Sequence, residues 1–129
     1  FMALNPTVYA ELLEQRLKMT GAKVWMVNTG WSGGKYGVGK RIAIRETRAM
    51  VRAILNDSLD NVTFRKDPVF GFDVPTAAPG VDSKLLAPRE CWADQAEYDA
   101  TYAAIAEKFK ANFAQFRNLV KPEVAQAGP

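Results

Sequence analysis

The chain has 129 residues, 48% apolar and 24% charged, and its 17 Lys and Arg against 14 Asp and Glu give a net charge of +3. That composition suits one compact globular domain and argues against disorder, a membrane span or a nucleic-acid module: no apolar run reaches the ~18 residues of a span, and the basic residues cluster only between Gly34 and Arg52. Histidine is absent and Cys91 stands alone, so no internal disulfide, no Ser-His-Asp or Cys-His pair, and no His-based or Cys-cluster metal site can form within the chain.

The apolar start Phe1-Met2-Ala3-Leu4 has no methionine at its first position, as expected of a piece of a longer polypeptide. It lacks a basic stretch leading into an apolar core and cleavage site, which points to a cytoplasmic location. Asn5-Pro6 opens a predicted helix, because Asn5 can accept from the first free N–H groups and Pro6 suits the first helical position. Tyr9, Leu12, Leu13 and Leu17 share a face of it, and Gly21 supplies the stop. Lys23 to Asn28 contains Val24-Trp25-Met26-Val27, an apolar run that predicts a strand buried on both faces.

The next stretch, Thr29 to Arg41, holds five of the nine glycines beside Lys35, Lys40 and Arg41. A backbone so short of side chains can turn sharply and present N–H groups at close range to phosphate or a nucleotide; the plain alternative is a mobile connector with no ligand. Gly34, Gly39 and Lys40 have the spacing of a P-loop, but the position that must hold magnesium is Arg41, a fixed cation, where Ser or Thr is required. A helix is predicted from Ile44 to Asn56, with Ile44, Val51, Ile54 and Leu55 on one face. The glycine loop then links a strand to a helix, the position at which open α/β sheets bind nucleotides.

Val69 to Val74 alternates between Pro68 and Pro75 and predicts a strand near a sheet edge. Residues 75–92, broken by Pro75, Pro79, Gly80 and Pro88, predict an irregular loop wrapped on the surface and pinned by Leu85, Leu86 and Trp92. A long helix starts after Asp94, with Glu97 placed for a capping box, and Tyr98, Tyr102, Ile105, Phe109, Phe113 and Phe116 form its core-facing stripe. The tail at 120–129 is expected to fray. The fold class is α/β. Two strands with at least three helices are too few to bury both helical layers, so residues 1–129 read as the C-terminal part of a mononucleotide-binding domain, incomplete as an independent one.

An ordered set of segments then carries a resemblance: Phe1-Met2-Ala3-Leu4-Asn5-Pro6, Val27-Asn28-Thr29-Gly30-Trp31, Gly37-Val38-Gly39-Lys40-Arg41-Ile42, Thr47-Arg48-Ala49, Pro79-Gly80-Val81 and Leu86-Ala87-Pro88-Arg89. In these the chain resembles the C-terminal end of the ATP-dependent phosphoenolpyruvate carboxykinases. The resemblance implies a bilobal cytoplasmic enzyme of gluconeogenesis, a decarboxylating lyase with ATP and oxaloacetate as substrates and phosphoenolpyruvate, carbon dioxide and ADP as products. It implies Mg2+ with the nucleotide and a second ion, commonly Mn2+, whose ligands lie outside this chain together with the true P-loop and the oxaloacetate-binding arginine. The partner would be the remainder of the same polypeptide, and the 129 residues alone are expected to be inactive.

The family's nucleotide contacts that fall on this chain are Arg41, Ile42 and Thr47, with Phe1 as a neighbouring adenine wall. Arg41 can lay a planar cation on a purine or contact ribose and phosphate, Ile42 offers apolar surface, and Thr47 can donate a hydrogen bond. Without the resemblance the three read as a solvated cation, a core contact and a first-turn residue. Family members vary at the loop tip, so no phosphate-binding role passes to Lys35 or Lys40. The alternative from another class is a non-catalytic nucleotide- or partner-binding α/β domain.

Overall fold

The computed structural model describes residues 3–129. Helix α1 spans Pro6–Thr20; Asn5 Oδ1 accepts from the Thr7 N–H at 3.0 Å, and Gly21, left-handed at φ 64°, closes the helix by donating to the Leu17 carbonyl. Both ends follow the sequence signals, because capping is local chemistry. Its apolar face lies open: no residue of α1 is buried, and Leu12 and Leu13 are exposed.

The strand expected at Lys23 to Asn28 does not form. The segment makes no backbone-to-backbone hydrogen bond among the described residues, and Val24 and Met26 face solvent at 62% and 79% exposure. A strand exists only with a neighbour to pair with, and none lies beside it among the described residues.

Strands β1 (Trp31–Ser32) and β2 (Lys40–Arg41) pair antiparallel, Trp31 opposite Arg41 and Ser32 opposite Lys40, and the Ile42 N–H extends the ladder to the Gly30 carbonyl at 2.9 Å. The glycine stretch is thus a hairpin. At its neck a Cβ on Gly39 would lie 2.6 Å from the Gly34 carbonyl oxygen, so only glycine fits. Helix α2, Ile44–Leu55, follows directly. Its buried side is Glu46 and Ala53, with Met50 and Ile54 half-buried, whereas Ile44, Val51 and Leu55 of the expected apolar face are exposed.

Strands β3 (Phe64–Lys66) and β4 (Asp73–Pro75) form a second antiparallel hairpin. The strand expected over Val69 to Val74 is mostly its turn. Asp67 Oδ1 accepts from the N–H groups of Val69 and Phe70, Gly71 takes φ 70°, and its N–H reaches the Asp67 carbonyl. This side-chain-made turn competes successfully with extension.

Residues 75–92 include two short 3-10 segments, Ser83–Leu86 and Pro88–Cys91. Arg89 binds both carboxylate oxygens of Asp99 at 2.8 and 2.9 Å, which ties the second segment to α3 (Gln95–Phe113). Asp94 caps α3 through the N–H groups of Ala96 and Glu97, while the Glu97 side chain pairs with Lys35 at 2.8 Å. The aromatic stripe of α3 meets the second hairpin: Phe70 packs on Tyr102 and Phe109 with ring centroids 5.5 and 5.4 Å apart. The far end remains open, with Phe109 56% exposed. A final short helix, α4 (Pro122–Gln126), is tethered to α1 by the Lys121–Glu14 ion pair at 2.8 Å.

Candidate nucleotide-binding face

An apolar cavity of about 650 Å³ lies between α2, the two hairpins and the 78–88 segment, and its wall includes Trp25, Trp31, Ile42, Met50, Ile54 and Phe64. Ile42 reaches it directly from the end of the first hairpin and is buried at 9% exposure. Arg41 stands one residue earlier on β2, exposed, with no ion pair or side-chain hydrogen bond among the described residues. Thr47 lies in the first turn of α2, half-buried; its N–H donates to the Ala43 carbonyl, and its hydroxyl has no partner among the described residues. The structure therefore puts Ile42 on the cavity wall, and Arg41 and Thr47 on the adjoining hairpin and helix start rather than in the wall. Phe1 lies outside the described residues.

The hairpin also disposes of the near-P-loop. In that motif the lysine opens a helix, but here Lys40 sits in an antiparallel strand and α2 starts only at Ile44. Lys35 at the tip is engaged by Glu97, and a Cβ on Gly33 would press within 3.1 Å of the Cys91 carbonyl oxygen, so the tip packs against the 88–91 turn and the start of α3. The described residues contain no group of three or more His, Cys, Asp and Glu able to hold a metal ion.

Glu46 is the feature the sequence reading passed over. It is buried at 8% exposure, accepts from Arg45 Nε at 3.1 Å on one oxygen and from the Asp82 N–H at 3.3 Å on the other. A signal existed: Glu at the third helical position serves a capping box only when Ser or Thr precedes the helix, and Ala43 stands there with no side-chain cap.

A second recess of about 370 Å³, bordered by Arg65, Asp67, Arg89, Tyr98, Asp99 and Tyr102, is largely self-satisfied. Tyr102 donates to Asp67 at 2.7 Å, Arg89 is held by Asp99, and Arg65 donates to the Leu86 carbonyl. Burial works against the charge of Asp67, but the donors from Tyr102, Phe70 and Val69 outweigh it and hold the carboxyl below the usual range. Burial first, then the bond to Asp67, raises the Tyr102 phenol.

Comparison with known proteins gives these positions their setting. A family model described as phosphoenolpyruvate carboxykinase matches residues 1–84. Relatives named phosphoenolpyruvate carboxykinase (ATP) from Cereibacter sphaeroides, Thermus thermophilus and Geotalea uraniireducens are 53%, 47% and 52% identical over 127, 129 and 125 residues. The chain belongs to the phosphoenolpyruvate carboxykinase family. It corresponds to a portion of an ATP-dependent member, for these alignments take in 98%, 100% and 97% of the chain but 24% of each relative. Among the described residues no helix is long and apolar enough to cross a membrane.

Proposed function

We propose that this chain is the C-terminal, adenine-side portion of an ATP-dependent phosphoenolpyruvate carboxykinase, a cytoplasmic enzyme that converts oxaloacetate and ATP to phosphoenolpyruvate, carbon dioxide and ADP. The observation that carries the reading is the identity of about one residue in two with enzymes of that name across nearly the whole chain. The local chemistry agrees with a nucleotide wall: Ile42 offers buried apolar surface, and among the described residues the Arg41 guanidinium and the Thr47 hydroxyl are unengaged. Phe1 is assigned as a further adenine contact. Phosphate, oxaloacetate and the Mg2+ and Mn2+ ions belong to the rest of the polypeptide, so the 129 residues alone are inactive.

Under this division of labour the chain acts by orientation. Phosphoryl transfer depends on holding the nucleotide in line with its acceptor, and a purine clamp contributes through positioning. In the full-length enzyme Arg41→Ala is expected to raise the KM for ATP by roughly tenfold to a hundredfold, the worth of one charge-assisted contact, while the KM for oxaloacetate stays within twofold. An unchanged KM for ATP would overturn the assignment of Arg41 to the nucleotide site.

A further inference from the structure

A carboxylate taken out of water is costly unless both oxygens find donors, and Glu46 finds one of its two donors 36 residues away, in the Asp82 backbone. The partner segment is shaped to lie there. Gly80 turns at φ 74° with its Cα facing Ala49 of α2, where an added Cβ would come within 3.5 Å of the Ala49 Cβ. Val81 donates back to the Ala78 carbonyl, and Asp82 caps the following 3-10 segment by accepting from the Lys84 N–H at 3.0 Å. Ala78, Leu85 and Leu86 of this segment line the same cavity as Ile42 and Met50. Glu46 immediately precedes Thr47 and lies four residues after Ile42. One side chain thus joins the helix start that carries Thr47, just after Ile42, to a segment that lines the same cavity as Ile42.

We propose that Glu46 is a positioning residue for the nucleotide site: by binding the Asp82 N–H it clamps the 78–86 segment onto the first turn of α2, beside Thr47, and fixes the spacing between Ile42 and the Leu85–Leu86 part of the cavity wall. The proposal rests on the adenine-side reading given above. Glu46 touches no reacting atom; it acts through the walls it holds. Its neighbour Arg45 occupies the other oxygen from an exposed position, and no other titratable side chain bonds to it among the described residues.

The test uses the full-length enzyme with four variants, Glu46→Ala, Glu46→Gln, Asp82→Pro and Asp82→Ala, read as KM for ATP, KM for oxaloacetate and kcat. Glu46→Ala should raise the KM for ATP about tenfold, the effect of losing one hydrogen bond at this position, with kcat and the KM for oxaloacetate within twofold. Glu46→Gln keeps an acceptor for the Asp82 N–H and should recover most of that loss. Asp82→Pro deletes the donor at a backbone φ of −63° that proline accepts, so it should copy Glu46→Ala, whereas Asp82→Ala keeps the N–H and should leave the KM for ATP near the parent value. Arg41→Ala and Thr47→Val, assayed alongside, separate the two claims. If they raise the KM for ATP while Glu46→Ala and Asp82→Pro do not, the clamp is wrong and the site stands; if they too change nothing, the site reading has failed. Should Glu46→Ala not fold, the contrast between Asp82→Pro and Asp82→Ala decides alone, and equal KM values in that pair overturn the clamp.

Discussion

Three donors converge on one oxygen of Asp67: the N–H groups of Val69 and Phe70 at 3.0 and 2.7 Å and the Tyr102 hydroxyl at 2.7 Å. The first two make the turn of the second hairpin, and the third fastens that turn to α3. Asp67→Ala should cost about 2–3 kcal/mol, since it strands a half-buried phenol as well as two amides, and Tyr102→Phe about 1 kcal/mol. A double-mutant cycle should then show coupling, because the two side chains share a bond. The pH dependence follows from the lowered carboxyl. Its stabilisation is complete above the ordinary aspartate value near ~3.9 and is lost as pH falls through the lower folded value. The difference in unfolding free energy between the parent and Asp67→Asn should therefore be flat from pH 7 to about 5 and shrink below about 4. A difference that instead grew on acidification would contradict the assignment. Glu14 is a counterpart at the surface: Lys121 foremost, then Lys18, lower its carboxyl to about 2, and salt should screen that tether.

At the scale of elements, the first hairpin depends on glycine for two different reasons. Gly39 has no room for a Cβ, whereas Gly37 has room but sits at φ 88°. Gly37→Ala should cost only the left-handed penalty of roughly 1–2 kcal/mol, while Gly39→Ala must push strands apart. Hydrogen exchange reads the difference at the Ile42 amide, which donates to Gly30: Gly39→Ala should abolish its protection and Gly37→Ala should weaken it only modestly. Helices α1, α2 and α3 were legible in the sequence because their signals are local, whereas α4 forms where a fraying tail is expected. Asn5, Gly21 and Asp94 announced the ends of α1 and the start of α3, and the α2 boundaries followed from spacing. The strands were not. Lys23 to Asn28 has strand composition without a partner, Val69 to Val74 was captured by the Asp67 turn, and β3 was set by pairing with β4. Of the candidate site, Ile42 lines the apolar cavity, Glu46 gave only the negative clue of a helix start without a cap, and the role proposed for Arg41 comes from resemblance rather than from any pattern in the residues.

The molecule as a whole exposes 9779 Å². A compact monomer of its mass, 14.3 kDa, exposes about 6,800 Å², and the exposed surface includes large apolar side chains, among them Leu12, Leu13, Val24, Met26, Leu55 and Phe109. Such surface needs a cover, and the relatives carry roughly four times this length. Amides of Val24 to Val27, unpaired among the described residues, should exchange rapidly in the isolated 129 residues and, if the rest of the polypeptide supplies a neighbouring strand, slowly in the full-length protein; rapid exchange in both would deny that cover.

The proposed adenine-side role puts these residues beside the purine of ATP, a proximity that photolabelling reads. ATP bearing an azide on its purine ring, irradiated with the full-length enzyme and mapped by mass spectrometry, should modify a peptide within residues 41–50 and should be displaced by unlabelled ATP. Protectable label confined to peptides outside this chain would contradict the adenine-side assignment.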